Sequence, residues 1–407
     1  MNRHNGVTDD LFYQASPIRI VDLFSGIGGL SLGWLQAPSK RAIELVSAVD
    51  ADPTLEEAFA WNFPKSRFLH HSFGDSLKED ESKILLGKAG IGPRDVDVLL
   101  AAPPCQTFSA AGKRELDADS RLVFHVCNFA KALLPKIVLI ENVPEFSRAQ
   151  EGRLLGRVRV RMADAGYDTE VMNFSAAAFG VPQMRMRCFT LAIRKDLDWP
   201  SRSILLDDLR LADKQRFVPR SMEVDNDGYR FWREPLAPTT VGEAIDDLPN
   251  LEAGEGNQET ILTNEPTSEY QRVLRRDEAR LFNHIAPNHS PEMIAAISSL
   301  KPGDTPQEMA AHPLRRKDYF RGAYARLDPH QPAMTITTQT QNPGSGRFTH
   351  YRDNRVITVR EVARIQSFPD NFRFFGSQAV QRRHVGNAVP PFLAQAIATA
   401  LLPLLEG

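Results

Sequence analysis

Over the first half of the chain, short apolar runs alternate with longer segments whose apolar positions recur at helical spacing. The runs IRIVDLF, ELVSAVD, VDVLLAA, IVLIENV and CFTLAIR read as strands. Between them, LSLGWLQA, LEEAFAWN, RLVFHVCNFAKALL and RLLGRVRVRMADAG read as helices. Strands and helices in alternation predict an α/β fold: a mostly parallel, doubly wound sheet of Rossmann-like kind with helices on both faces. Ligands of such sheets bind beyond the carboxyl ends of the strands. The residues that close each apolar run are therefore the first candidates for function.

The pattern weakens near residue 195. Fourteen of the 28 prolines lie between 195 and 350, where turn residues accumulate and periodicity is poor. A stretch of that length is too long for one loop in a compact domain, so it predicts a second, smaller and irregular domain. Order returns with RVITVREVARIQSF, where Thr358 and Glu361 have the spacing of a capping box. The terminal VPPFLAQAIATALLPLL reads as an apolar helix started by proline. The expected division is residues 1–194 with 376–407 as one domain and 195–375 as the other.

Composition narrows the class only slightly. The chain has 407 residues and a formal net charge of -2, which argues against an all-round nucleic-acid coat but leaves room for one basic face. No apolar run has the length of a membrane span, and the first residues lack the apolar core of a secretory signal. Three scattered cysteines make no disulfide framework, so a reducing cytoplasm is expected. Five of the ten histidines lie between 284 and 350, irregularly spaced and without cysteine, so no metal site is expected there.

Four strand ends carry candidate chemistry. In VDLFSGIGGLSLGW, Gly26, Gly28 and Gly29 let the backbone turn sharply and approach a ligand at a helix start. The spacing is not that of a dinucleotide fingerprint. About 24 residues on, Asp50 ends the next strand, where a carboxylate accepts hydrogen bonds from ribose hydroxyls. A tight turn without ligand is the alternative for the glycines alone; with Asp50 the pair favours a nucleoside cofactor. In AAPPCQTFSAAGKR, Pro103 and Pro104 stiffen the backbone before Cys105. Buried and inert is the commonest fate of a cysteine, but a thiol held at a strand end is a nucleophile arrangement. Cys127 and Cys188 fall inside a helix and a strand and read as core. Thr107, Ser109, Gly112, Lys113 and Arg114 suit a lid that touches phosphates. Glu141 closes IVLIENV as a candidate acid or clamp, with an N-cap or surface carboxylate as the alternative. Gln183, Arg185 and Arg187 alternate and so share a face; two arginines there require an acidic or carbonyl partner unless they line a solvated edge.

Taken in order, DLFSGIGGL, Asp50, PPCQTFS, ENV, QMRMR, REVARIQSFPDNF and HVGNAVPP resemble the motifs of the DNA cytosine-5 methyltransferases. The motifs cover the first 194 residues and roughly the last 55. The resemblance implies S-adenosyl-L-methionine as cofactor, held by Phe24, Ser25, Gly26, Gly28, Gly29, Asp50, Ser72, Pro103, Asn387 and Val389. It implies Cys105 as the nucleophile on C6 of a flipped cytosine, Glu141 at N3, Arg187 at O2 and steadying Glu141, and Arg185 assisting near the cysteine. Residues 106–120 would close over the base.

By the same resemblance, residues 195–375 are the target-recognition domain, with Thr335 and Ile336 as its recurring pair. Gln106, Ser109, Lys113, Arg114, Arg315 and Arg316 are the candidate DNA contacts beside them. Two positions depart from the family. His384 stands where glutamine is usual, and the adenine contact is ambiguous, with Ser72 placed by spacing and Asp75 as the alternative. The expected partner is double-stranded DNA, approached by a monomer in the cytoplasm and nucleoid, with a cognate restriction endonuclease in a restriction-modification pair. A tRNA methyltransferase of the same fold and a catalytically silent DNA-binding relative are the competing readings. A nicotinamide dehydrogenase fails on the glycine spacing.

Overall fold

The computed structural model describes residues 16–74, 79–104, 121–197, 224–225, 228–229, 238–276, 279–315 and 320–406. Eight strands occupy the first half: β1 (Ile18–Leu23), β2 (Ile43–Asp50), β3 (Arg67–His70), β4 (Val98–Ala101), β5 (Ile137–Asn142), β6 (Tyr167–Ser175), β7 (Gln183–Met184) and β8 (Met186–Arg194). All but β7 join one seven-stranded sheet in the order β3-β2-β1-β4-β5-β8-β6. Only β8 runs antiparallel to its neighbours, β5 and β6. The five expected strands are all present. β3 and β6 were not expected: both lie at sheet edges, where mixed exposure blurs the apolar run.

The helices between them are α1 (Gly29–Leu35), α2 (Glu56–Asn62), α3 (Glu79–Ala89), α4 (Leu122–Leu133) and α5 (Arg153–Asp164). Side chains alternate across each strand and so feed two separate cores. Ile20, Leu45, Leu100 and Leu139 pack with Trp34 and Phe59 on one face. Val21, Val49, Leu99 and Val138 pack with Phe124, Phe129 and Leu154 on the other. The central strands β4 and β5 are buried along their whole length, as expected of a parallel sheet covered on both faces.

Beyond residue 237 come α6 (Val241–Ile245), β9 (Gly256–Ile261), α7 (Glu269–Arg275), β10 (Arg280–Ile285), α8 (Pro291–Ser298), β11 (Ala333–Met334), α9 (Val359–Ile365), α10 (Gln378–Asn387) and α11 (Pro391–Leu401). β9 and β10 form an antiparallel ladder, and β11 pairs in parallel with β7. The first core continues through Val241, Leu274, Leu281, Val359 and Phe368 to Leu401. No described helix is long and apolar enough to cross a membrane.

A set of buried arginines fixes α9 in this core. Thr358 and Glu361 form the expected capping box, and Glu361 also takes two hydrogen bonds of 2.8 Å from the Arg355 guanidinium. Arg364 donates to Asp370 at 2.6 and 2.7 Å and to Asp247 at 2.9 Å. Burial opposes ionisation of Glu361, but Arg355 and His350 outweigh it and hold the carboxyl well below its ordinary range. Its contribution to stability is therefore present above the ordinary glutamate range and is lost as pH falls. Glu361→Gln should lower unfolding free energy by about 3–5 kcal/mol, because Arg355 loses its buried counter-charge. Urea unfolding at neutral pH checks this; a loss below about 1 kcal/mol would show that the pair does not anchor the helix.

Candidate active site at the carboxyl edge of the sheet

The ends of β1, β2, β4 and β5 lie side by side and present their last residues together. At β1 the chain leaves the sheet through Phe24, whose φ of 53° starts the tight turn into α1. Two contacts tie that turn to β2: the Ser25 amide donates to the Val49 carbonyl at 3.2 Å, and the Gly26 amide to Asp50 Oδ2 at 2.8 Å. Asp50 Oδ1 accepts from the Asp52 amide at 2.9 Å. Asp50 therefore holds the glycine turn in shape, and its pKa is raised by burial. A carboxylate has about four acceptor positions, and the backbone amides around Asp50 do not fill them all, which leaves room for a ligand. A Cβ built on Gly26 meets no atom within 4 Å, so the turn faces open space.

Gly29 is needed for the opposite reason. A Cβ there would stand 2.2 Å from the Val389 carbonyl oxygen, so only glycine lets the start of α1 meet the segment before α11. This brings Val389, which is buried, to the glycine turn; Asn387 is exposed nearby in sequence at the end of α10. His384 reaches the same corner from the side. Its Nε2 lies 3.1 Å from Asp52 Oδ2 and 3.2 Å from Thr54 Oγ1. Burial disfavours the Asp52 carboxylate, but hydrogen bonds from Thr54 and His384 overcome it and bring its pKa to about 2. The residue that departs from the family thus buttresses the loop beside Asp50. On the far side, Phe24 packs on Phe73 at 4.7 Å between ring centroids, and the exposed Ser72 precedes that ring. Asp75 lies outside the described residues.

β4 ends at Ala101, the Ala102 amide donates to the Leu23 carbonyl at 3.1 Å, and Pro103 is buried. Cys105, Gln106, Ser109, Lys113 and Arg114 lie outside the described residues, as does Arg316. The other two cysteines are buried, and burial pushes each thiol up to about 12. Neither is a nucleophile at neutral pH.

Glu141 and Arg187 come together. The antiparallel register pairs Asn142 with Cys188, which sets Arg187 just past the end of β5. Its Nε donates to Glu141 Oε1 at 2.8 Å, and both side chains are mostly buried. Burial lowers the Arg187 pKa while Glu141 opposes that shift. Arg185 does not join them. It is fully buried and donates to the carbonyls of Ile336, Gly386 and Ala388 at 3.0, 3.1 and 3.1 Å. The carbonyl partners anticipated for the arginine pair thus belong to Arg185 and the carboxylate to Arg187.

Ile336 is buried, with its amide donating to Gln183 Oε1 at 2.7 Å. Thr335 is exposed, with Oγ1 donating to the Met184 carbonyl at 2.7 Å. Arg315 stands apart in an exposed turn, donating to the Ala310 carbonyl. Two contributors were missed. Gln366 accepts from Gln183 at 2.8 Å and donates to the Val385 carbonyl at 2.9 Å, and no sequence pattern marks a buried glutamine network. Asp22 lies beneath the glycine turn, with Oδ2 accepting from Ser31 Oγ at 2.5 Å; an acid inside an apolar run was the available signal.

The model of the family described as C-5 cytosine-specific DNA methylase matches residues 18–402. The type II methyltransferase M.XorII of Xanthomonas oryzae pv. oryzae is 32% identical over 95% of this chain and 85% of its own. The type II methyltransferase M.DdeI of Desulfomicrobium norvegicum is 29% identical over 94% of this chain and 88% of its own. Among solved structures, a prophage-encoded Escherichia coli protein described as a DNA modification methyltransferase superposes with a TM-score of 0.71 at 24% identity. That likeness covers 96% of this chain and all of the other, and it supports the same fold.

Burial raises the Asp22 pKa from 3.8 to about 7. A raised carboxyl pKa means that stability from this group is full below about pH 4 and falls as pH rises through 7. Asp22→Asn should therefore be more stable than the wild type at pH 8, by up to about 4 kcal/mol, with the gap closing towards pH 4. Chemical denaturation across that range checks it, and a gap independent of pH would refute it.

Proposed function

We propose, on the premise that this chain belongs to the family of C-5 cytosine-specific DNA methylases, that it methylates a cytosine flipped out of a specific short duplex sequence through a covalent Cys105 adduct. The chain is a DNA (cytosine-5)-methyltransferase of Rossmann-like fold. The finer steps rest on the paired Glu141 and Arg187 at the strand edge, the one observation that carries the reading.

The glycine turn and Asp50 suit S-adenosyl-L-methionine: amides and open space face the ligand, and Asp50 keeps acceptor positions for ribose hydroxyls. Phe24, Ser25, Gly28, Gly29, Ser72, Pro103, Asn387 and Val389 complete the proposed pocket. When bound, the cofactor supplies an electrophilic methyl group.

Cytosine C5 is a poor nucleophile until C6 is attacked. The Cys105 thiolate adds to C6, and the electron pair moves towards N3. Glu141 donates to N3 when protonated and so stabilises the charge that addition creates, while Arg187 holds Glu141 in place and binds O2. C5 then becomes an enamine carbon and takes the methyl group. Loss of the C5 proton and elimination of Cys105 restore the ring as 5-methylcytosine. Splitting one hard substitution into addition, transfer and elimination is the gain of covalent catalysis. The ring atoms are out of reach in a stacked duplex, so the base is flipped at a cost of about a few kcal/mol.

Residues 195–375 carry target recognition, with Thr335, Ile336, Arg315, Arg316, Gln106, Ser109, Lys113 and Arg114 as proposed DNA contacts; the exposed Thr335 side chain fits that role better than the buried Ile336. By likeness to relatives named type II methyltransferases, the chain acts as the protective member of a restriction-modification pair; we propose further that it works as a monomer in the cytoplasm beside a cognate endonuclease.

Plasmid DNA treated with the pure protein and S-adenosyl-L-methionine, then mapped for 5-methylcytosine at base resolution, should show one short motif methylated and none with Cys105→Ala. Glu141→Gln should retain binding and lose about 10²–10³ in rate. Methylation surviving in Cys105→Ala would refute the mechanism.

A further inference from the structure

α5 carries Arg153, Arg157 and Arg161 at spacings of four, which places them in one stripe along the helix. Leu154, Leu155, Val158 and Met162 form the buried face, and the arginines lie along its flank towards α4. The guanidinium carbons of Arg157 and Arg161 stand 4.7 and 4.8 Å from the centroid of one ring, that of Phe124 on α4. Among the described residues neither has a carboxylate partner, and Arg153 has only a loose 3.9 Å contact with the exposed Glu151. Like charges at this spacing weaken a helix. Here the Phe124 ring lies beneath the Arg157 and Arg161 guanidinium groups and holds those two side by side, while Arg153 Nε donates to the Gln150 carbonyl at 3.0 Å.

The stripe begins at the functional edge. α5 follows the turn that leaves the end of β5, where Glu141 lies, and α4 likewise starts at the carboxyl edge with Phe124 in its first turn. The arginines therefore run from the carboxyl edge of the sheet along the outer surface. From Arg153 to Arg161 the helix rises about 12 Å, roughly the axial span of three to four nucleotides of one DNA strand.

We infer that the Arg153–Arg157–Arg161 stripe is a second DNA surface, which binds backbone phosphates of duplex flanking the target and adds affinity without reading sequence. Planar forks held by stacking suit phosphate oxygens, and contacts to phosphates position a duplex without specifying it. The inference rests on duplex DNA being the substrate.

The test compares a 40-base-pair and a 12-base-pair duplex, designed on order-of-magnitude grounds (about 3.4 Å per pair) and centred on the motif mapped above. Binding is followed by fluorescence anisotropy across a salt series. On the long duplex, the triple variant R153Q/R157Q/R161Q should bind about tenfold or more weakly, and the slope of log Kd against log salt should drop by about 2–3. On the short duplex it should match the wild type, and the methylation rate at saturating DNA should be unchanged. The triple lysine variant should keep the slope. If the triple glutamine variant fails to fold, the single variants R153Q and R157Q, at exposed positions, should each lower the slope by about one. Equal affinity and slope on the long duplex, or an equal loss on both lengths, would overturn the inference while leaving the methyltransfer reading intact. A wild type that ignores both duplexes would overturn the two together.

Discussion

Arg185 is the tie on which the site depends. It is fully buried, and its guanidinium donates to three carbonyls more than 150 positions away in sequence, on either side of Thr337 to Val385. Burial presses its pKa well below the ordinary arginine value, with the nearby Arg187 adding to the effect and Glu141 opposing it. An unpaired charge there would be costly; three carbonyl dipoles share it instead. The effect is to lock the entry to β8, and with it Arg187, against both the segment at residue 336 and the turn that delivers Val389 to Gly29. The Glu141–Arg187 ion pair and the glycine turn are built on distant parts of the chain, and Arg185 ties them together.

The same logic recurs around it. Gln183 clamps Ile336 and Gln366, Gln366 clamps Val385, and α9 is held by Arg355, Arg360 and Arg364 with their acids and carbonyls. Buried polar groups require partners, and here the partners come from elements far apart in sequence. Such a network has few alternative arrangements, which suits a site whose groups must meet a reacting base within tenths of an ångström.

Much of this was legible in the sequence. The central strands declared themselves because parallel strands covered on both faces are apolar throughout, as β4 and β5 are. The pairing of Thr358 with Glu361 followed from local spacing alone. Glu141, Asp50 and the glycines sit at or just beyond strand ends, as the apolar runs before them predict. What escaped has a weak local signature or none. Edge strands β3 and β6 mix exposed and buried positions. The different fates of Arg185 and Arg187, two residues apart, depend on residues 336 to 388 arriving from elsewhere. Asp22 reads as one polar letter in an apolar run. His384 was noticed only as a departure, yet its contact with Asp52 joins the last motif to the loop beside Asp50.

We propose that the Cys105 thiol forms a bond to the base. A duplex carrying 5-fluorocytosine at the target tests it directly, because fluorine cannot leave C5 as the proton does, so elimination stops and the adduct persists. Intact mass spectrometry after incubation with S-adenosyl-L-methionine should show protein joined to DNA plus one methyl group, and Cys105→Ala should show none. Free protein throughout, under conditions in which the ordinary duplex is fully methylated, would contradict the account.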